Sequence, residues 1–310
     1  MIIVTGTIAY DYIMDFPGKF GDHILPDKIH KINLSFNVSK FAKRRGGTAG
    51  NVSYSLGLLQ TPHILFATAG KDLQDYEKHF LKLGINVNYI KIEKTNYTST
   101  GFTMGDKSHN QIWGYFLGAS EKNYLLKLNK IAKKSDLVLV GPTGAKGSMS
   151  FVRQCVKLDI DYMFDPGFIL TELNSNQLEF GIKNAKYIIG NDYEIELMKK
   201  SVKNFRTIVR NKILITTLGE NGALIQTSKK TYRIPTAEPL KIVDPTGCGD
   251  AWRSGFLAGL QRKFDLQACG QMGAVASAYV IEKYGSQEHR YTKKGFENRY
   301  RQNFDSLIKL

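Results

Sequence analysis

Short apolar runs rich in β-forming residues alternate with stretches of helical spacing along the whole chain. This alternation limits the fold more than any other feature. Ile2–Gly6, Ile64–Ala69, Asp136–Gly141, Ile160–Asp165, Tyr187–Asn191 and Ile213–Thr217 read as strands. Asn51–Leu59, Asp72–Leu83, Met149–Leu158, Asn176–Asn184, Asp192–Lys200 and Ala251–Gln261 read as helices. Such an order builds parallel βαβ units with helices on both faces of a sheet. Ligands of such sheets bind beyond the carboxyl ends of the strands, so the polar residues just after each strand matter most.

Two segments, about 13–37 and 97–117, break the alternation. In the second, Thr98–Met104 and Gln111–Phe116 read as the arms of an antiparallel hairpin turning at Gly105–Asn110. Period-two spacing puts Gln111, Trp113 and Tyr115 on one face. That face suits a flat heterocycle, and equally the core or dimer interface of a small lid.

The 310 residues allow one large α/β domain or two smaller ones. No apolar run is long enough to span a membrane, and Met1–Gly6 reads as a strand rather than a signal peptide. Cys155, Cys248 and Cys269 are odd in number and far apart, which fits reduced thiols in a cytoplasm and offers no zinc spacing. The net charge of +15 invites a nucleic-acid reading. The basic residues are spread thinly, however. Clusters such as Lys40–Arg45 read as solvated loops or helix ends, so neither a nucleic acid nor a membrane is the expected partner.

Asp244-Pro245-Thr246-Gly247-Cys248-Gly249-Asp250 joins a Gly-rich turn to the start of an apolar helix. Unpaired N–H groups at a helix start attract anions. Gly247 and Gly249 let a phosphate approach the backbone without a Cβ in the way. Asp250 is then a base beside a phosphate cradle. Taken alone, the stretch is equally an ordinary turn with a carboxylate in the first helical turn.

Four further features follow strands or turns. Asp11 lies after the first strand, in Thr5-Gly6-Thr7-Ile8-Ala9-Tyr10-Asp11, where it suits a pair of vicinal hydroxyls or a turn cap. Gly46-Gly47-Thr48-Ala49-Gly50-Asn51 is a second Gly-rich turn leading into a helix. Asn191 and Glu194 bracket a helix start, as oxygen ligands for a hydrated Mg²⁺ or as a capping box. Thr217-Leu218-Gly219-Glu220-Asn221-Gly222 is a turn between two strands that suits the edge of a nucleotide.

In this order the pieces resemble the ribokinase-like (PfkB) family of carbohydrate and nucleoside kinases. The family's Gly-Gly loop ending in Asn is matched by Gly46–Asn51. Its D-T-x-G-A-G-D motif is matched by Asp244–Asp250, with Pro245 and Cys248 as variants. Stretches such as Phe16–Phe20, Asn191–Glu194 and Gly285–Glu288 look closest to the bacterial adenosine-kinase branch. The resemblance implies one 1–310 domain, a three-layer α/β/α with a mostly parallel sheet and a small β lid formed by about 13–37 and 97–117.

It also implies an ATP- and Mg²⁺-dependent kinase acting on the 5′-hydroxyl of a nucleoside, with adenosine as first choice. Asp250 would be the base, and the N–H groups of Gly247, Cys248 and Gly249 the anion hole. Thr7, Asp11, Gly46, Gly47 and Asn51 would hold the sugar. Phe102, Gln111, Tyr115 and Phe168 would surround the base. Asn191, Thr217, Gly219 and Gly222 would line the ATP site, and Glu194 would hold Mg²⁺ through water. Asp244 and the Thr246 carbonyl match a potassium site in some members. A homodimer would form through the lid. After Asp165-Pro166, Phe168 and Ile169 stand where that branch has amide side chains. The acceptor therefore stays open between adenosine, inosine or guanosine and a ribose-, fructose- or sugar-phosphate-type substrate.

Overall fold

The computed structural model describes residues 1–108 and 110–310, and of Gln111 and Trp113 the backbone alone. In chain order the strands begin with β1 (Ile2–Thr5), β2 (Ala9–Asp15), β3 (Lys40–Gly46), β4 (His63–Leu65) and β5 (Ala67–Gly70). They continue with β6 (Ile90–Glu93), β7 (Ser99–Gly105), β8 (Gln111–Phe116), β9 (Leu137–Val140) and β10 (Asp161–Phe164). Four more follow: β11 (Tyr187–Asn191), β12 (Ile213–Thr217), β13 (Ala223–Gln226) and β14 (Thr231–Ile234). Eight of them form one sheet in the order β14-β13-β12-β11-β10-β9-β1-β4, parallel from β12 to β4 and antiparallel from β12 to β14.

Alternation within these strands sorts their side chains into two cores. Ile2, Val4, Leu139, Met163, Ile189 and Ile215 pack under the helices Thr48–Leu58, Cys248–Gln261, Leu266–Ile281 and Lys293–Phe304. Ile3, Val138, Val140, Tyr162, Phe164 and Ile188 pack under Ala145–Leu158, Ser175–Asn184 and Asp192–Ser201. Burial of both faces is why the parallel strands read as continuous apolar runs. The fold is the expected three-layer α/β/α.

Two expectations fail locally. Ile64–Ala69 is two strands rather than one. The Thr68 N–H donates to Asn123 Oδ1 at 2.6 Å and its hydroxyl to the Ala119 carbonyl at 2.5 Å. These bonds draw the chain away from β1, and β5 pairs with β6 in a sheet of its own. The basic run Lys40–Arg45, read as a solvated loop or helix end, is strand β3.

β3 is the edge of a four-stranded sheet, β3-β2-β7-β8, so the expected hairpin is half of a larger element. Charged side chains on an edge strand keep it from pairing with other chains. Residues 16–36 follow β2 as short 3₁₀ turns gathered around Phe16, Phe20 and Phe36. Asp106, in the β7–β8 turn, accepts the Phe20 N–H at 2.9 Å and ties this segment to the hairpin.

Candidate active site

The helix Cys248–Gln261 starts at Gly247, whose φ of +85° is favourable only for glycine. A Cβ there would lie 2.5 Å from the Ser286 Cβ. The Cys248 N–H donates to the Pro245 carbonyl at 3.1 Å and so is spent within the turn. Among the described residues, the N–H groups of Gly247, Gly249 and Asp250 find no acceptor. The unpaired N–H groups thus differ by one residue from those expected to form an anion hole. A Cβ on Gly249 would lie 2.9 Å from Arg253 Nη1, so this glycine leaves room for that guanidinium. The Cys248 thiol is pushed up to about 12 by burial and by the charges of Asp244 and Asp250, and so stays protonated.

Asp250 carries the site's main carboxylate. Its Oδ2 accepts from Asn51 Nδ2 at 2.7 Å. Burial pushes its pKa up to about 6, opposed by the nearby Arg253 guanidinium and the Asn51 hydrogen bond and reinforced by Asp165 and Glu194. Asp11, at the mouth of β2, is raised to about 6 by burial and by the Asp250 charge. Arg253 lies under Asp250 in a buried, two-pronged pair with Asp165 at 2.5 and 2.8 Å. That pair fixes the guanidinium below the Asp250 carboxylate. It was missed in the sequence, although Asp165 ends the fourth predicted strand.

The first Gly-rich turn holds Asp11 and Asn51. A Cβ on Gly46 would fall 2.0 Å from Asp11 Oδ2, and one on Gly47 2.6 Å from the Ala9 nitrogen and the Thr7 carbonyl. The two glycines therefore admit protein groups. The Thr7 carbonyl accepts from the Ala49 and Gly50 N–H groups, while its buried hydroxyl has no partner among the described residues. Asn51 is expected to hold a sugar, yet it is engaged with protein. Besides the bond to Asp250, its Oδ1 accepts from Ser286 Oγ and Gln287 Nε2, each at 2.9 Å.

The expected base-binding aromatics separate. Strand register sets Asp11, Gly101 and Tyr115 across from one another on one face of the four-stranded sheet. Phe102 pairs with Tyr12 on the opposite face and stacks on its ring at 5.3 Å. Tyr115 lies 5.2 Å from the Phe168 ring, ring centre to ring centre. These two remain candidates for an aromatic wall. The side chain of Gln111 lies outside the described residues.

A cavity of about 710 Å³ runs from Asp250 past Asp165, Asn191 and Glu194 to Gly219 and Ala278. Thr217 and Gly222 also line it. A Cβ on Gly219 would touch nothing, whereas one on Gly222 would strike the Ile234 carbonyl at 2.0 Å. Gly219 thus faces open space and Gly222 serves the β12–β13 turn.

Asn191 and Glu194 form a reciprocal capping box, with both bonds at 2.8 Å. Burial and the Asp165 charge raise the Glu194 carboxyl. Its second oxygen stays available on the cavity wall, which fits a metal held through water. Among the described residues no cluster of three or more His, Cys, Asp or Glu forms a direct metal cage. Asp244 braces loops, accepting the Thr246 N–H at 2.9 Å and the Gly285 N–H at 3.0 Å. No helix among the described residues is long and apolar enough to cross a membrane.

The chain is similar to known proteins over nearly its whole length. The pfkB family carbohydrate kinase model matches residues 11–293. A nucleoside kinase of Methanocaldococcus jannaschii is 29% identical over 294 residues, 92% of each chain. The Burkholderia thailandensis nucleoside kinase solved with inosine superposes with a TM-score of 0.91 at 30% identity, covering 99% of this chain and 100% of that one. The same enzyme solved with ADP and inosine gives 0.87 at 33% identity, over 100% and 98%. A helix start with unpaired N–H groups, a buried carboxylate beside it and a family match spanning both motifs lead to one conclusion. The chain belongs to the pfkB family of carbohydrate kinases and is a phosphotransferase with a hydroxyl acceptor.

Proposed function

We propose that the protein is a nucleoside kinase that transfers the γ-phosphoryl group of ATP to a nucleoside 5′-hydroxyl. The observation that carries this reading is the Asp250 carboxylate set next to the unpaired N–H groups of Gly247, Gly249 and Asp250. Asp250 accepts the proton of the acceptor hydroxyl. A carboxylate of pKa about 6 suffices, because the loose transition state of phosphoryl transfer needs little proton removal before the bond to the leaving group breaks. The three N–H groups and Arg253 below them neutralise charge on the transferring group. Mg²⁺ bound through water at Glu194, beside Asn191, would supply further neutralisation of the phosphates.

Thr217 and Gly219 line the ATP end of the cavity. Asp11 and Thr7, outside the lining of that cavity, would meet the acceptor sugar, and the four-stranded sheet acts as a lid within one 1–310 unit. Closure of such a lid excludes the water that competes as acceptor. Potassium at Asp244 and the Thr246 carbonyl belongs to the same reading, so exchanging K⁺ for Na⁺ should lower turnover. The outward face of the lid shows Phe41, Phe102 and Ile112 at 63%, 47% and 51% exposure, which suits a homodimer contact.

Adenosine is the acceptor implied by the sequence resemblance. Inosine is the second reading, favoured by the bound inosine of the Burkholderia relative. Phe168 offers neither a donor nor an acceptor to distinguish them. ADP release measured with adenosine, inosine, guanosine, ribose and fructose 6-phosphate tests the proposal. A kcat/KM higher for a nucleoside than for either sugar supports it. Preference for a sugar refutes it.

A further inference from the structure

The loop Gly285–Gln287 lies outside both Gly-rich motifs, yet it touches each. The Gly285 N–H donates to Asp244, Gln287 donates to Asn51, and the Ser286 hydroxyl shares its one hydrogen between Asn51 Oδ1 and the Arg45 carbonyl, at 2.9 and 3.1 Å. Gln287 and Tyr76 are buried, at 2% and 0% exposure. Their bonds form a chain whose direction can be read from one end. The Gly46 carbonyl can only accept, and the Tyr76 hydroxyl donates to it at 2.8 Å. The Tyr76 oxygen must then accept, and it does so from Gln287 Nε2. With its nitrogen set towards Tyr76, Gln287 gives its other hydrogen to Asn51 Oδ1. Asn51 must therefore turn Nδ2 towards Asp250.

Turning any amide over would set oxygen against oxygen, unless Tyr76 released Gly46. Gln287 Oε1 is left buried with no partner among the described residues. The amide thus keeps a costly orientation in favour of its two donor bonds. The third glycine of the first motif completes the device. A Cβ on Gly50 would fall 2.1 Å from the Tyr76 hydroxyl.

We infer that Tyr76 and Gln287 are positioning residues that fix the amide polarity of Asn51, and so hold Asp250 with one oxygen occupied and the other free for the acceptor. The inference rests on Asp250 being the base of the proposed kinase reaction. Asn51 then acts through the base rather than mainly as a sugar contact.

Two variants test it. Tyr76→Phe removes the hydroxyl that sets the polarity. Gln287→Glu keeps the shape and replaces a donor with an acceptor, which reverses Asn51. The readout that needs no substrate is the titration of Asp250, followed by carboxyl ¹³C NMR of aspartate-labelled protein and assigned with Asp250→Asn. Asp11 and Tyr115 face Asp250 from the lid, Asp165 and Glu194 from the sheet edge, and Cys248 and Arg253 from its own helix. All remain in the variants; Gln287→Glu also brings a carboxylate of its own near Asp250, so the charge-neutral Tyr76→Phe is the variant whose change reports Asn51.

Loss of the donor bond should raise the Asp250 midpoint by about one pH unit in Gln287→Glu, and by about half that in Tyr76→Phe. Turnover with the best nucleoside of the panel should fall about ten-fold in Gln287→Glu, with KM moving less than about three-fold. An unchanged Asp250 midpoint in the folded variants overturns the inference, whatever KM does. If Gln287→Glu does not fold, the isosteric Tyr76→Phe decides alone. A wild type that turns over no nucleoside would refute the functional reading and leave the titration readable.

Discussion

The two Gly-rich turns look alike in sequence and work in opposite ways. In Gly46–Asn51, added Cβ atoms would collide with Asp11, with the Thr7–Ala9 backbone and with Tyr76. Those glycines make room for the protein itself and fix carboxylate and amide side chains. In Gly247–Asp250, Gly247 makes room for Ser286 and Gly249 for the Arg253 guanidinium, 2.9 Å from an added Cβ. The second turn leaves N–H groups unpaired among the described residues, and the first spends those of Ala49, Gly50 and Asn51 on the Thr7 and Gly47 carbonyls. A glycine in a kinase motif is thus assigned by what its Cβ would meet.

The largest effect expected concerns the carboxylate that both turns serve. Asp250→Asn should lower kcat by about 10³-fold, the loss typical of a general base, measured by steady-state ADP release. The same change should make the fold more stable at neutral pH. A carboxyl raised from 3.8 to about 6 in the folded protein favours folding below its unfolded pKa and loses that contribution as pH rises through about 6. An amide avoids the burial cost of the charge. Thermal unfolding at pH 7.5 should show a rise on the order of 3 °C.

Gly50→Ala should break the first turn. It forces a Cβ onto the Tyr76 hydroxyl, so chemical denaturation should show a loss of about 2 kcal/mol. Gly249→Ala sharpens the contrast: its Cβ presses only on Arg253 Nη1, so the stability loss in the same assay should be smaller than for Gly50→Ala, with a fall in kcat of about ten-fold. Smallest in amplitude is the pH response of the wild type. Because Asp250 and Asp11 each titrate at about 6, kcat/KM should be flat near pH 7.5 and fall on the acid side as pH drops through about 6.

Local features were legible in the sequence. The buried parallel strands announce themselves as apolar runs, and Asp250, Asn191 and Glu194 sit in short motifs whose geometry is set within one turn. What escaped depends on distant partners. Arg253 meets Asp165 across 88 residues, and Gln287 meets Asn51 across 236. β3 was hidden because its alternation is charged rather than apolar, as suits an edge strand. Ile64–Ala69 read as one strand because the side chain that splits it, Asn123, comes from elsewhere. Phe102 was grouped with Tyr115 although the β7–β8 register, which sets Gly101 opposite Tyr115, puts them on opposite faces.

The most direct test follows the label of [γ-³²P]ATP with inosine or adenosine, beside the matching 5′-deoxynucleoside, in wild type and Asp250→Asn. The account predicts label in the 5′-monophosphate for wild type, none with the 5′-deoxy compound, and about 10³-fold slower transfer in the variant. Transfer to a nucleoside lacking its 5′-hydroxyl, or an Asp250→Asn enzyme of near-normal rate, would contradict it.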